Sequence, residues 1–169
     1  MPEVHEHRTV LRVRYAECDP MGVAHHSSYA VWFEIARTEL LRSFGESYAA
    51  LEARGVLMVI TRLDIRYRRP VRYDDVLEVL VRVVGGSRVK LTHEYEVRVV
   101  EPGDADVAGP PNPVGPAGVD GASARQEPPA DRGRRAGVVC TRGSTELACV
   151  DRSGRVRQLP DWMVLPRGG

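Results

Sequence analysis

Cysteine is scarce in this chain, aromatic residues are few, long apolar runs are missing, and neither sign of charge prevails. The three cysteines, Cys18, Cys140 and Cys149, leave one unpaired under any pairing and have no ligand-like spacing. That excludes a disulfide scaffold and leads to an expectation of free thiols in a reducing cytoplasm. The opening "MPEVHEHRTV" has no apolar run of signal-peptide length, and no stretch is long enough to cross a bilayer, so no membrane span is expected. Lys and Arg number 24 against 23 Asp and Glu, a formal net charge of +1. Without a basic excess nothing pulls on a polyanion, and nucleic acid is not an expected partner. What the 169 residues do contain is 43% hydrophobic residues, sufficient for the core of one domain.

Apolar residues alternate with Arg12 and Arg14 from Leu11 to Tyr15, which predicts a short strand. Pro20 and Gly22 then signal a turn. In "SYAVWFEIARTELLRSFG", Tyr29, Trp32, Phe33, Ala36 and Leu40 recur at three- and four-residue steps. This predicts a helix capped by Ser27 or Ser28 and ended by Gly45, with Glu34–Arg37 and Glu39–Arg42 as exposed pairs. "ESYAALEARG" predicts a second short helix ending at Gly55. The period then becomes two. Val59, Thr61, Leu63, Ile65 and Tyr67 share one face of a strand, and Leu77, Val79, Val81 and Val83 repeat the pattern. "GGS" at 85–87 predicts a tight hairpin, returning through Val89, Leu91, His93, Tyr95, Val97 and Val99. Such alternation indicates an antiparallel sheet with one face covered.

Residues 102–135 hold seven prolines and six glycines in 34 positions and almost no bulky apolar side chain. They cannot bury enough surface to offset their ordering entropy, which predicts a disordered hairpin tip. A strand in "AGVVCTRGSTELACVD" and a turn at "DRSGR" follow. The chain therefore reads as a single α+β domain, residues 1–169, with a long helix on a curved antiparallel sheet and an insert at 102–135.

Chemistry concentrates in "RYAECDPMGVAHHSSY", residues 14–29, where the first strand gives way to the helix. An Asp before Pro is commonly a turn former, so Asp19 alone is ambiguous. Cys18 has no evident activating partner, and no nucleophile-elbow pattern surrounds Ser27 or Ser28. "HEH" at 5–7 together with His25 and His26 lacks further ligands to complete a metal site, and none is expected. His93, on an apolar strand face, fits a hydrogen-bonded core position.

"VRYAECDPMGVAHHSSYAVWFEIARTELL" resembles the N-terminal signature of the 4-hydroxybenzoyl-CoA thioesterase family of hot-dog-fold acyl-CoA thioesterases, through Asp19, Gly22 and the pair Glu34 and Arg37. The resemblance continues through "DIRYRRPVRYDDVLEV" and "ACVDRSGRVRQLP" and covers nearly the whole chain outside the insert. It implies a hot-dog fold and hydrolysis of an acyl-CoA thioester to acid and CoA without cofactor or metal. Asp19 would attack the carbonyl, giving an anhydride, or act as general base on water. Amides at the helix start, around His26 and Ser27, would polarise the carbonyl. Gly22 would allow close backbone approach to the ligand. Trp32, Phe33 and Met58 are candidates to line the acyl pocket, with core packing the alternative for at least one of them. Of Arg66, Arg68, Arg69, Arg88 and Lys90, the last two are the better candidates for CoA phosphates. A homodimer or homotetramer joined edge to edge, with its site between subunits, is implied, and the acyl group could also arrive on acyl carrier protein. Ser28 stands where many relatives carry Asn, and His25 where an aromatic is frequent. Two other readings of the fold remain: a non-catalytic acyl-CoA or acyl-carrier-protein binder, and a hydratase or dehydratase built on His26 and Glu17.

Overall fold

The computed structural model describes residues 6–103 and 135–164. Residues 104–134, nearly all of the expected disordered tip, lie outside the described residues. Strand β1 (Glu6–Arg12) leads through a short 3-10 turn at Tyr15–Glu17 into helix α1 (Ser28–Ser43) and helix α2 (Tyr48–Ala53). Strands β2 (Leu57–Tyr67), β3 (Val76–Gly86), β4 (Lys90–Glu101) and β5 (Val139–Val150) follow. They form one antiparallel sheet in the order β1-β3-β4-β5-β2 with α1 packed on one face, the α+β hot-dog arrangement that the resemblance implies.

The helix period places Trp32, Phe33, Ala36 and Leu40 on the sheet, against Leu77, Val79, Val81, Val97 and Val99, all buried. Phe33 stacks on Tyr95 with ring centroids 4.2 Å apart and planes 9° from parallel. This approach needs Gly143 on β5, because a Cβ there would run into the Phe33 ring. Helix α1 ends where expected, with Gly45 at φ +77° and its N–H on the Arg42 carbonyl. Ser47 caps α2 by accepting the Ala50 N–H at 3.1 Å.

Four local expectations shift. β1 stops at Arg12 rather than running to Tyr15, because the Val13 N–H bonds the Asp75 carbonyl and Glu17 draws the Arg14 N–H out of the ladder. Gly85 and Gly86 belong to β3, and the reversal comes at Ser87–Lys90, closed by the Ser87 N–H on the Lys90 carbonyl. In β2 the pairing skips Thr61, since Ile60 opposes Leu147 and Arg62 opposes Glu146. This bulge keeps Leu63, Ile65 and Tyr67 on the helix-facing side but puts Met58 and Ile60 there instead of Val59 and Thr61. Arg37 is buried rather than exposed, with one nitrogen 3.0 Å from exposed Glu34.

His93 is buried, as expected of a core position, and no hydrogen-bond partner meets its Nδ1 among the described residues. Burial, reinforced by the Arg37 charge, pushes its pKa down to about 4. The unfolded chain therefore takes up this proton first as acid is added, so stability present above pH 6.5 is lost between about 6.5 and 4. The loss amounts to about 3 kcal/mol. Urea midpoints measured across that window are expected to fall more steeply for the wild type than for His93→Gln; parallel curves would remove His93 from the acid response.

Candidate active site

A buried carboxylate organises the crossing from β1 to α1. Glu17 accepts from the Arg14 guanidinium and the Arg14 amide, both at 2.8 Å, and from the Trp32 indole at 3.0 Å. Burial opposes its charge, but these donors outweigh burial and hold the carboxyl below the usual range. Its own carbonyl accepts the His25 N–H at 2.7 Å and the Ser28 hydroxyl at 3.0 Å. One residue thus ties the 3-10 turn, the helix flank and the helix start together.

Between these ties, residues 18–24 form a small hairpin. The Asp19 N–H donates to the Val23 carbonyl and the Gly22 N–H to the Asp19 carbonyl, both at 2.9 Å, while Cys18 bridges Ala24. Gly22 adopts φ +76°, which L side chains resist, and open space surrounds its Cα. The turn's backbone conformation by itself calls for glycine here. Asp19 Oδ1 accepts the Met21 N–H at 2.8 Å, and Oδ2 has no partner among the described residues. The hairpin is docked to the segment after β2 by the Ala24 N–H on the Val71 carbonyl at 2.7 Å.

That docking closes one side of a cleft of about 360 Å³ lined by Asp19, Val23, Ala24, His26, Tyr29, Tyr67, Arg68, Arg69 and Pro70. The size suits a small-molecule site. Tyr29 and Tyr67 meet edge to face, with centroids 5.0 Å apart. Burial pushes the Tyr29 phenol up to about 12, so it stays protonated and uncharged. Arg68 and Arg69 are exposed and without ion pairs among the described residues, leaving two cations at the mouth.

The helix start differs from the expected capping. Ser27 makes no side-chain cap bond; its hydroxyl lies 2.7 Å from His25 Nδ1, and its N–H reaches the same nitrogen at 3.3 Å. The Ser28 N–H is taken by the His25 carbonyl at 2.9 Å. The His26 N–H has no acceptor among the described residues, and the exposed His26 side chain lines the cleft. Of the two amides expected to be open, only that of His26 is.

The structure therefore brings Asp19 and His26 together in one cleft, with Ser27 and Gly22 in the turns that shape it. Trp32 does not line it. That indole is fully buried against Tyr29, with its N–H held by Glu17, a core position. Met58, Arg88 and Lys90 lie at the other end of the sheet. Met58 pairs with Cys149 and Lys90 with Ala148, whereas Tyr67 pairs with Thr141 beside the cleft. Within one chain they do not reach Asp19. The residues that sequence reading passed over are Tyr29 and Tyr67, taken for core and strand positions, and Pro70, while Arg68 and Arg69 stood among the candidate cations but behind Arg88 and Lys90. "YRRP" following the strand was the available signal. Glu17 has both oxygens occupied, which removes the acid that a hydratase built on His26 and Glu17 would need.

A larger trough, about 480 Å³, lies on the sheet's outer face. Three of its cations are paired, Arg142 with Glu96 at 3.0 Å, Arg66 with Asp64 at 3.4 Å and Arg82 with Glu6 at 2.8 Å, and the fourth, Arg68, also lines the cleft. No set of three or more His, Cys, Asp or Glu side chains among the described residues is grouped to hold a metal ion. No helix among them is long and apolar enough to cross a membrane.

Comparison with known proteins finds the same kind of molecule. The sequence profile of the thioesterase-like superfamily matches residues 13–165. The putative acyl-CoA thioesterase YneP of Bacillus subtilis is 32% identical over 94 residues, 56% of this chain and 68% of that relative. The acyl-CoA thioester hydrolase YbgC of Escherichia coli O157:H7 is 40% identical over 76 residues, 45% of this chain and 57% of that relative. Among solved structures, a DHNA-CoA thioesterase from Staphylococcus aureus is similar with a TM-score of 0.68 at 26% identity, over 93% of this chain and 85% of that one. The protein TT1821 from Thermus thermophilus is similar with a TM-score of 0.67 at 31% identity, over 92% and 90%.

Cys18, next to Asp19, is a poor nucleophile. Burial first, then the charges of Glu17, Asp19 and Asp75, push its thiol up to about 11, so it stays protonated through neutral pH. Iodoacetamide is expected to label it more slowly than a free cysteine up to pH 9, as followed by mass spectrometry of the Cys18 peptide; rapid labelling at pH 7 would show a thiolate.

Proposed function

The chain belongs to the thioesterase-like superfamily, and from that premise we propose that it hydrolyses an acyl-CoA thioester to the free acid and CoA in the Asp19 cleft. The observation that carries this reading is the pairing of one unshared carboxylate oxygen, Asp19 Oδ2, with one unshared helix-start amide, the His26 N–H, at the same cleft. Thioester hydrolysis needs these two elements: an oxygen to act on the carbonyl carbon and a donor where the oxyanion develops. In this reading Asp19 attacks the carbonyl and expels the thiolate, leaving an anhydride for water to open, or it takes a proton from the attacking water. His26 acts through its backbone, with the positive end of the α1 dipole behind it. Tyr29, Val23, Ala24 and Pro70 offer apolar wall for the acyl group. Arg68 and Arg69 offer cations for the phosphates of CoA. A thioester on acyl carrier protein would present the same carbonyl.

The partner we infer is a second copy. Of the two sheet edges, β1 presents Glu6, Arg8 and Arg12, whereas β2 exposes Val59, Ile60, Leu63 and Tyr67 beside unpaired backbone. Although Arg62 and Arg66 are also exposed on β2, this run of exposed apolar side chains beside unpaired backbone favours further strand pairing. Antiparallel pairing of two β2 strands would lay the Leu57–Met58 end of one copy against the Tyr67–Arg69 end of the other. Met58 of the partner subunit would then approach the cleft, followed by the partner subunit's Arg88 and Lys90 on their hairpin. Such a pairing reunites the site residues that one chain keeps apart.

Asp19→Asn is expected to lower CoA release by about 10³-fold or more across a panel of acyl-CoAs while the melting temperature stays within a few degrees. Activity near wild type would remove Asp19 from the mechanism, and tight acyl-CoA binding without release by the wild type would mark a binding protein. Appearance of ¹⁸O in the Asp19 carboxylate after turnover in labelled water marks the anhydride route. Separately, Leu63→Lys should convert a dimer to a monomer in sedimentation velocity; an unchanged dimer would place the interface elsewhere.

A further inference from the structure

Backbone ties on both sides fix the His26 Cα. The peptide before it is held by the His25 carbonyl, which accepts the Ser28 N–H at 2.9 Å, and the peptide after it by the His26 carbonyl, which accepts the Tyr67 hydroxyl at 3.0 Å. What remains free is the side chain, through χ1 and χ2. The His26 imidazole is exposed, lines the Asp19 cleft and makes no hydrogen bond among the described residues. Its one ring contact among them is the His25 imidazole, with centroids 4.0 Å apart and planes tilted by 40°. The His25 ring, by contrast, is pinned. Its Nδ1 accepts the Ser27 N–H at 3.3 Å, and a backbone N–H can only donate, so this nitrogen carries no proton. The Ser27 hydroxyl, 2.7 Å from the same nitrogen, therefore donates to it as well. The His25 amide is held in turn by the Glu17 carbonyl at 2.7 Å. A fixed ring thus stands behind a ring that no other described residue orients.

We propose that His25 is a positioning residue: its imidazole, pinned by Ser27, backs the His26 imidazole and holds that ring facing the cleft, where it meets the thioester or the hydrolytic water. This rests on the hydrolase reading of the Asp19 cleft and adds a side-chain role for His26 to the backbone one. A ring pair of this kind favours the stacked rotamer by about two- to tenfold. A group beside the reacting atoms contributes to rate in proportion to the time it spends in the productive geometry. The His26 N–H lies outside this arrangement, because its peptide is held through the His25 carbonyl whichever side chain stands at 25.

Variants of the full-length protein, assayed by CoA release from an acyl-CoA that the wild type turns over, test this. His25→Asn keeps an acceptor for the Ser27 N–H and removes the ring. Its kcat should fall about two- to tenfold, with KM within about twofold and the melting temperature at the wild-type value. His25→Phe, which puts a ring back, should recover most of the lost kcat. His26→Ala should lose at least as much as His25→Asn, and His25→Asn should cost nothing further in that background. The His26 ring protons, read by NMR, should move toward their positions in an unstructured peptide in His25→Asn and stay in place in His25→Phe. An unchanged kcat in His25→Asn, a loss confined to KM, additive losses in the double variant, or unmoved His26 ring protons would each overturn the proposal. If the wild-type protein releases no CoA from any thioester, the hydrolase reading falls; the ring-proton comparison still decides whether His25 holds this ring.

Discussion

The buried Glu17 carboxylate is the interaction on which the site depends. A charged group in that position is tolerated only because donors surround it: the Arg14 amide and guanidinium and the Trp32 indole. The same residue's carbonyl holds the His25 amide and the Ser28 hydroxyl. The turn before the hairpin and the start of α1 are therefore one rigid unit. Loss of the carboxylate would leave a buried indole N–H unpaired and the Arg14 turn untied, at a cost of several kcal/mol. Asp19 and the His26 amide keep their relation because both hang from this clasp.

A second buried carboxylate does related work in the turn just before β3. Asp75, fully buried, accepts the Arg72 and Gly103 amides and the Arg135 guanidinium, and its carbonyl takes the Val13 amide. It fixes the turn that follows "YRRP" and draws together the two chain ends that flank residues 104–134. Because the Val71 carbonyl in that turn receives the Ala24 amide, the wall of the cleft formed by Arg68, Arg69 and Pro70 is set by contacts distant from it. The cleft is shaped by two buried carboxylates, Glu17 and Asp75, neither of which lines it.

How far the sequence was legible follows its periodicities. The helix at Ser28–Ser43, the alternating burial of β4 and the turn at Gly154 all come from short-range spacing, and all were expected. The same reading failed where a single extra residue or a distant partner intervened. The bulge at Thr61 exchanged the faces of β2 before it, and nothing in "MVITRL" announces that. Arg37 looked like half of an exposed helical pair and is buried, because the rows of α1 that face the sheet take in the 37 position as well. Trp32 looked like a pocket residue; its indole N–H found Glu17 fifteen positions back and drew the ring into the core.

By itself the sequence determined the order of elements, the covered face of most of the sheet, the Asp19-to-Gly22 hairpin and the resemblance that pointed to a thioesterase. These are consequences of local rules: side-chain period, turn chemistry and the short motif in which Asp, Pro and Gly stand together. Only the tertiary structure decided which amide at the helix start stays open, that Tyr67 rather than a residue of the helix holds its neighbour, and that Met58, Arg88 and Lys90 lie at the far end of the sheet from Asp19. The physical reason is the same in each case. A hydrogen bond across 41 residues, a bulge and an antiparallel register are set by which strand lies beside which, and no local pattern of residues carries that information.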